Sequence, residues 1–97
     1  TVRVTFNELA ERELNDAAHY YELEQAGLGR AFITDIQRCT EAIVAHPLAG
    51  SIVLGTIRRR LCQRFPYGLQ YTVAADELRI LAVMHLHRRP GYWVGRT

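Results

Sequence analysis

Four arginines stand close together in the second half of the chain, Arg58, Arg59, Arg60 and Arg64. Guanidinium groups bind phosphate and carboxylate in a planar, two-pronged way, so this segment suits an acidic ligand. The segment spans the junction of two predicted strands. Because strand side chains alternate between faces, Arg58, Arg60 and Arg64 are expected to share one positive face. A solvated sheet edge protected by its charge is the alternative.

A second group of candidate residues follows in the C-terminal tail, where cations alternate with two adjacent aromatic residues. The predicted contacts with a target there are Arg88, Arg89, Tyr92, Trp93 and Arg96. Charge combined with stacking suits nucleic acid, while aromatic and Arg side chains also dominate the energetic centres of protein interfaces. In the alternative interpretation, Tyr92 and Trp93 only close the hydrophobic core.

The tail contains two histidines, His85 and His87, which are two residues apart and therefore point to the same side of a strand. This spacing would allow both side chains to bind one metal ion. No third ligand accompanies them, and Cys39 and Cys62 have no zinc or redox spacing. The sequence also contains no glycine-rich phosphate loop, nucleophile elbow or HExxH motif. We therefore expect no metal and no cofactor, and two buried, reduced cysteines.

The charges divide sharply between the two halves of the chain. Residues 1–46 carry four Arg and eight acidic residues, a net charge of −4, whereas residues 47–97 carry eight Arg and two acidic residues, a net charge of +6. The chain has no lysine. This asymmetry predicts that the positive charge gathers on one exposed face, which an acidic partner contacts.

Two helices should support these side chains. Residues 2–6 alternate apolar and polar side chains as a short strand, and Asn7 is a good N-cap for a helix over about residues 8–25. A second helix is predicted to begin after Gly29 and to end at Pro47. The short connection makes the two helices an antiparallel hairpin.

The remaining chain has the two-residue period of strands. Residues 48–55 are predicted to be a loop, and strands are predicted from residue 56, over residues 64–73 and after the turn at residues 75–77. In the last strand, one face is predicted to carry Leu78, Ile80, Ala82 and Met84, and the other face Leu81 and Val83. The predicted fold is α+β with the order β-α-α-β-β-β, a helical hairpin packed on a mainly antiparallel twisted sheet.

Length and hydropathy limit the chain to one domain over residues 1–97. No stretch approaches the roughly 18 apolar residues of a membrane span, and no signal peptide is recognisable. We therefore expect a soluble protein of the cytoplasm without a membrane partner.

The order of short motifs along almost the whole chain resembles a known family. The motifs are Phe6-Asn7, Ala10, Leu14, Tyr20-Tyr21, Gly27-Leu28-Gly29, Phe32, Ile43, His46-Pro47, Arg58-Arg59, Arg64-Phe65-Pro66-Tyr67, Tyr71, Ala82-Val83-Met84-His85, Arg88-Arg89-Pro90 and Tyr92-Trp93. Together they resemble the RelE/ParE superfamily of bacterial toxins, and most closely its ParE-type, plasmid-stabilisation branch.

The resemblance implies the toxin of a type II toxin–antitoxin pair, neutralised by a cognate antitoxin with which it can form a hetero-oligomer. Some members of the superfamily cleave messenger RNA on the ribosome, whereas ParE proper inhibits DNA gyrase. For an RNase, the candidate catalytic residues are Arg64, His85, His87, Arg89 and Tyr92. The candidates for antitoxin contact are Leu14, Tyr21, Phe32 and Ile36, on the two helices.

The missing lysines favour one of these targets. In the RNase branch, lysines, arginines and a late tyrosine carry the chemistry, and an arginine is a poor general base because it stays protonated. The resemblance therefore favours gyrase inhibition by binding. The alternatives are a ribosome-dependent endoribonuclease and a non-toxic binding module of the same fold.

Overall fold

The computed structural model describes residues 2–97. Its elements are β1 Arg3–Phe6, α1 Glu8–Glu24, α2 Leu28–Ala45, β2 Ser51–Leu54, β3 Ile57–Leu61, β4 Tyr67–Ala74 and β5 Glu77–His85. The five strands form one sheet in the order β1-β5-β4-β3-β2, in which only β1 and β5 are parallel. The predicted α+β class, with a helical hairpin on a mainly antiparallel sheet, is confirmed.

Side chains fix the ends of both helices. Asn7 caps α1 as predicted, since its Oδ1 accepts the N–H of Leu9 at 2.8 Å. The second helix begins two residues earlier than predicted, at Leu28, because the Glu22 carboxylate accepts the N–H groups of Gly27 at 2.9 Å and Gly29 at 3.1 Å. A carboxylate from α1 thus satisfies the free N–H groups that begin α2.

The predicted loop over residues 48–55 is wrong in its second half. Ser51–Leu54 forms the edge strand β2, which pairs antiparallel with β3. Leu54 pairs with Ile57, and Gly55, at a φ of +55°, makes the tight turn between them. Gly50 and Gly55 thus lie on either side of a short strand and not within a continuous loop.

A β-bulge in β5 changes the face of the sheet on which some of its side chains lie. Tyr71 pairs with Ile80 and the preceding Gln70 pairs with Ala82, so Leu81 is an extra residue in β5. The prediction that Ala82 and Met84 share a face with Leu78 and Ile80 is therefore wrong.

The sheet consequently has an apolar cluster on each face. The cluster under the helices contains Ala10, Phe32, Ile36, Cys39, Ile43, Phe65, Leu69, Tyr71, Leu78, Ile80 and Val83. The smaller cluster on the other face contains Ala82, Met84 and Trp93. Both faces of β5 are covered, as expected for an interior strand. No helix within residues 2–97 combines the length and apolar character needed to cross a membrane.

Candidate functional site: one end of the sheet

The β3–β4 connection and the turn after β5 meet at one end of the sheet. Tyr67 pairs with His85, and the N–H of Leu86 donates to the Pro66 carbonyl at 2.9 Å. We call this region, residues 61–67 and 85–89, the sheet end. It brings together Arg64, His85, His87 and Arg89, which are four of the five RNase candidates.

Asp35 of α2 holds the β3–β4 connection in place. Its buried carboxylate accepts the N–H groups of Arg64 at 3.2 Å and Phe65 at 2.9 Å. Phe65 inserts into the core, whereas Arg64 is exposed. A single carboxylate therefore orients both residues, one inward and one toward solvent.

The histidine pair belongs to the same region. The Nδ1 atom of His85 accepts the N–H of His87 at 3.1 Å, and the two rings lie 5.4 Å apart. The His85 ring also packs edge-on against Tyr67 at 5.1 Å. Within residues 2–97, no three His, Cys, Asp or Glu side chains are arranged to hold a metal ion.

Arg96 is mostly buried, although a residue that contacts a target is expected to be exposed. Its side chain is only 11% exposed and forms a two-pronged ion pair with Glu13 at 2.9 and 3.1 Å. The Arg96 guanidinium also donates to the Leu81 carbonyl at 3.1 Å, while Glu13 accepts the Val83 N–H at 3.1 Å. Arg96 is therefore not part of the exposed surface.

This ion pair seals an open sheet edge. The ladder between β1 and β5 ends where the N–H of Asn7 donates to the Ile80 carbonyl, so the second half of β5 has no strand beside it on that edge. Glu13 and Arg96 supply the acceptor and the donor that a neighbouring strand would have supplied.

The aromatic residues of the tail lie mainly in the interior. Trp93 is 5% exposed and packs with Ala82 and Met84, which supports the structural alternative for this residue. The Tyr92 ring lies 4.0 Å from the Arg88 guanidinium and 5.0 Å from that of Arg96.

The Tyr92 hydroxyl is poorly placed for chemistry. It is buried and has no hydrogen-bond partner within residues 2–97. Burial and the neighbouring Glu13 carboxylate raise the pKa of Tyr92, so this phenol is protonated at neutral pH and is not a base.

The arginines of β3 do not form the single exposed patch expected of them. Arg58 donates to the carbonyls of Leu48 at 3.0 Å and Gly50 at 2.8 Å, so it is committed to the loop before β2. Arg59 packs over Gly68 on the opposite face of the sheet. Strand alternation places Arg58 and Arg60 on one face and Arg59 on the other, as predicted, but Arg58 and Arg96 are committed to internal hydrogen bonds. The prediction that the positive charge gathers on one exposed face is therefore wrong.

Two of the exposed arginines at the sheet end have no ion-pair partner in the described part of the chain, Arg64 and Arg89. Arg88 is also exposed, with a side chain that is 55% accessible, but its guanidinium lies 3.8 Å from the Glu13 carboxylate. The exposed cationic surface thus consists of Arg64 and Arg89, with Arg88 beside them.

The four antitoxin candidates have different environments. Phe32 and Ile36 are buried, whereas Leu14 and Tyr21 are half-buried. A groove of about 530 Å³ runs across the hairpin and is lined by Phe6, Leu14, Ile33, Ile36, Gln37, Thr40 and Glu41. Leu14 and Ile36 line this groove, and Tyr21 and Phe32 instead belong to the aromatic core beside Phe65.

Comparison with known proteins gives consistent matches to one family. The family model described as "ParE toxin of type II toxin-antitoxin system, parDE" matches residues 4–90. A solved structure titled "Chromosomal ParDE TA system from P. aeruginosa" is similar with a TM-score of 0.77 and 18% identity, over 89% of this chain and 97% of that chain. At this identity the structural match shows the fold alone. A comparison with curated proteins finds no match.

Proposed function

Because this chain belongs to the ParE toxin family of type II toxin–antitoxin systems, we propose that it stops bacterial growth by binding DNA gyrase. The proposed contact surface is the sheet end, with Arg64 and Arg89 as its charged residues. Binding without turnover is proposed, and the bacterial cytoplasm, where gyrase works, is the proposed location.

The buried Tyr92 hydroxyl is the observation that carries this choice of mechanism. Cleavage of RNA through its own 2′-hydroxyl needs a base for that proton and an acid for the leaving oxygen. Tyr92 cannot reach a substrate from its present position, and arginine stays protonated. His85 and His87 remain as titratable groups, but the exposed guanidinium groups beside them suit docking to an acidic macromolecular surface.

Supercoiling by purified gyrase provides the direct test. We expect the free toxin to inhibit supercoiling at stoichiometric concentration, while primer extension after induced expression shows no new cuts in translated messages. Undiminished supercoiling at a large excess of toxin would reject gyrase as the target, and fresh cuts inside messages would establish the RNase alternative. Unaffected growth on induction would favour the non-toxic binding module.

The groove across the hairpin is the proposed site for the antitoxin. Its lining combines the apolar side chains of Phe6, Leu14, Ile33 and Ile36 with the polar Gln37, Thr40 and Glu41, on a hairpin that is acidic overall. We propose that the cognate antitoxin places an amphipathic segment there, with apolar side chains toward Leu14 and Ile33 and basic side chains toward Glu41. The two partners would then form a hetero-oligomer.

Replacing Ile33 by Asp should weaken the antitoxin complex by about 100-fold or more, because a half-buried apolar contact is exchanged for a desolvated charge. Calorimetric titration measures the affinity, and circular dichroism confirms that the variant is folded. Leu48→Asp is the matched control, since Leu48 is 71% exposed and does not line the groove. Equal affinities for the two variants would place the antitoxin elsewhere.

A further inference from the structure

Cys39 comes close to the end of β3 from the helix side. It lies in the middle of α2, is 6% exposed and belongs to the core cluster under the helices. Its Sγ atom is 3.8 Å from the Arg60 carbonyl oxygen and 3.9 Å from the Leu61 carbonyl oxygen. The Leu61 carbonyl carbon is bonded to the nitrogen of Cys62, so the backbone of the second cysteine is adjacent to the first thiol.

The Cys62 side chain points toward the same space. Arg59 and Leu61 both contact the position of Gly68 on the opposite face of the sheet. Since side chains alternate along a strand, Arg60 and Cys62 point toward the helices. Cys62 is half-buried and packs against the cluster that contains Cys39. The two thiols therefore face each other between α2 and the sheet.

The surroundings of the pair differentiate the two thiols. Hydrogen bonding to Cys62 and the charge of Arg60 lower the pKa of Cys39 against the opposing effect of burial. Hydrogen bonding to Cys39, together with burial, raises the pKa of Cys62. The charge of Arg60 therefore favours the thiolate at Cys39, and this sulfur is the one that reacts first in the step described below.

A small oxidant has access to Cys39. A crevice of about 100 Å³ beside the thiol is lined by Asp35, Arg38, Cys39, Ala42, Arg60, Leu61 and Gln63. Arg60 at this crevice favours negative charge on the Cys39 sulfur, whereas the charge of Asp35 opposes it.

We propose that Cys39 and Cys62 form a redox modification site, at which hydrogen peroxide produces an intramolecular disulfide between α2 and the β3–β4 connection. The Cys39 thiolate attacks one peroxide oxygen, the O–O bond breaks, and the departing hydroxide takes a proton to become water. The Cys62 sulfur then attacks the resulting sulfenic acid, which forms the S–S bond, and a second water leaves. Two thiols and one peroxide thus yield one disulfide and two waters.

The link would stabilise the region that carries the proposed target contacts. Asp35 already holds the connection at Arg64 and Phe65 by hydrogen bonds, and the disulfide would add a covalent tie beside it. Closing the intervening loop restricts the unfolded chain, so the oxidised toxin should melt at a temperature on the order of 10 °C higher than the reduced toxin.

Thiol counting by mass spectrometry tests the site. The reduced wild-type chain should take up two alkyl groups under denaturing conditions. After brief treatment with hydrogen peroxide it should take up none, be lighter by two hydrogen atoms, run as a monomer without reductant and return to the starting state with dithiothreitol. The melting temperature should rise only in the wild type.

Single variants separate the roles of the two thiols. Cys62→Ala should accumulate a dimedone-reactive sulfenic acid at Cys39, because the second thiol that would convert it to a disulfide is missing. Cys39→Ala should form no intramolecular disulfide and should show no rise in melting temperature after peroxide treatment. The wild-type result alone decides the proposal if either variant folds poorly. The proposal would be overturned if the wild type still had two alkylatable thiols under conditions that fully oxidise Cys62→Ala. Disulfide cross-links between chains, instead of within one chain, would also overturn it.

Discussion

Replacing Glu13 by Ala should lower the free energy of unfolding by about 3–5 kcal/mol, the range typical of breaking a buried ion pair. The change leaves the Arg96 guanidinium, whose side chain is 11% exposed, without its counter-charge. It also leaves the Val83 N–H, on an edge of β5 that no strand covers, without an acceptor. For a chain of 97 residues, a loss of this size corresponds to a melting temperature lower by roughly 15 °C or more.

Chemical denaturation of both variants and of the double variant checks this expectation. Arg96→Ala should be similarly damaging, and Glu13→Ala with Arg96→Ala should cost clearly less than the sum of the two single changes, since no charge is then left unpaired. Arg12→Ala is the matched control: its ion pair with Glu8 is on the surface, at 3.9 Å with a 65% exposed arginine side chain. A loss below about 1 kcal/mol in Glu13→Ala, as for surface pairs, would contradict the sealing role.

Reversing the charge of Arg64 and Arg89 together should reduce inhibition of gyrase by about 100-fold or more, if the proposed function is correct. Both side chains are exposed and unpaired within the described chain, so their replacement by Glu should leave the fold intact. Each would exchange an attraction for a repulsion at the contact with the target, and about 1.4 kcal/mol corresponds to each tenfold change in affinity.

The experiment needs a control for net charge. Arg3→Glu with Arg12→Glu makes the same change in charge, at two side chains that are 70% and 65% exposed and lie outside the sheet end. Antitoxin affinity should remain within about threefold of wild type in both double variants, since the groove is unchanged. Equal loss of gyrase inhibition in both would show that only overall charge matters, and loss of antitoxin binding in the sheet-end variant would show that the two surfaces overlap.

Local signals in the sequence were sufficient for the helical hairpin. Asn7 as an N-cap and the glycines between the helices are effects of nearby residues, and the structure has both helices within a few residues of prediction. The start of α2 was misplaced by two residues because its cap, Glu22, comes from the other helix. The edge strand β2 was missed because four residues between two glycines have too little length to show a period.

The environment of the site residues was much harder to predict. Glu13 and Arg96 are 83 residues apart, and nothing near either residue indicates that they pair. Arg64 and Arg89 are exposed to solvent, whereas Arg58 and Arg96 have the same side chain and form internal hydrogen bonds. The sequence gives the number of guanidinium groups, but their exposure to solvent depends on the tertiary structure.

The extra residue at Leu81 makes the length of β5 a property that homologous toxins need not share. In a relative without this bulge, the side chains that correspond to Ala82 and Met84 would lie one residue earlier in the sequence. This shift would occur even if the motifs on both sides of the strand were aligned. Corresponding residues in this strand are therefore best identified by the β4 residue with which each one pairs. An alignment by residue number alone would match side chains that face the helices with side chains that face the tail.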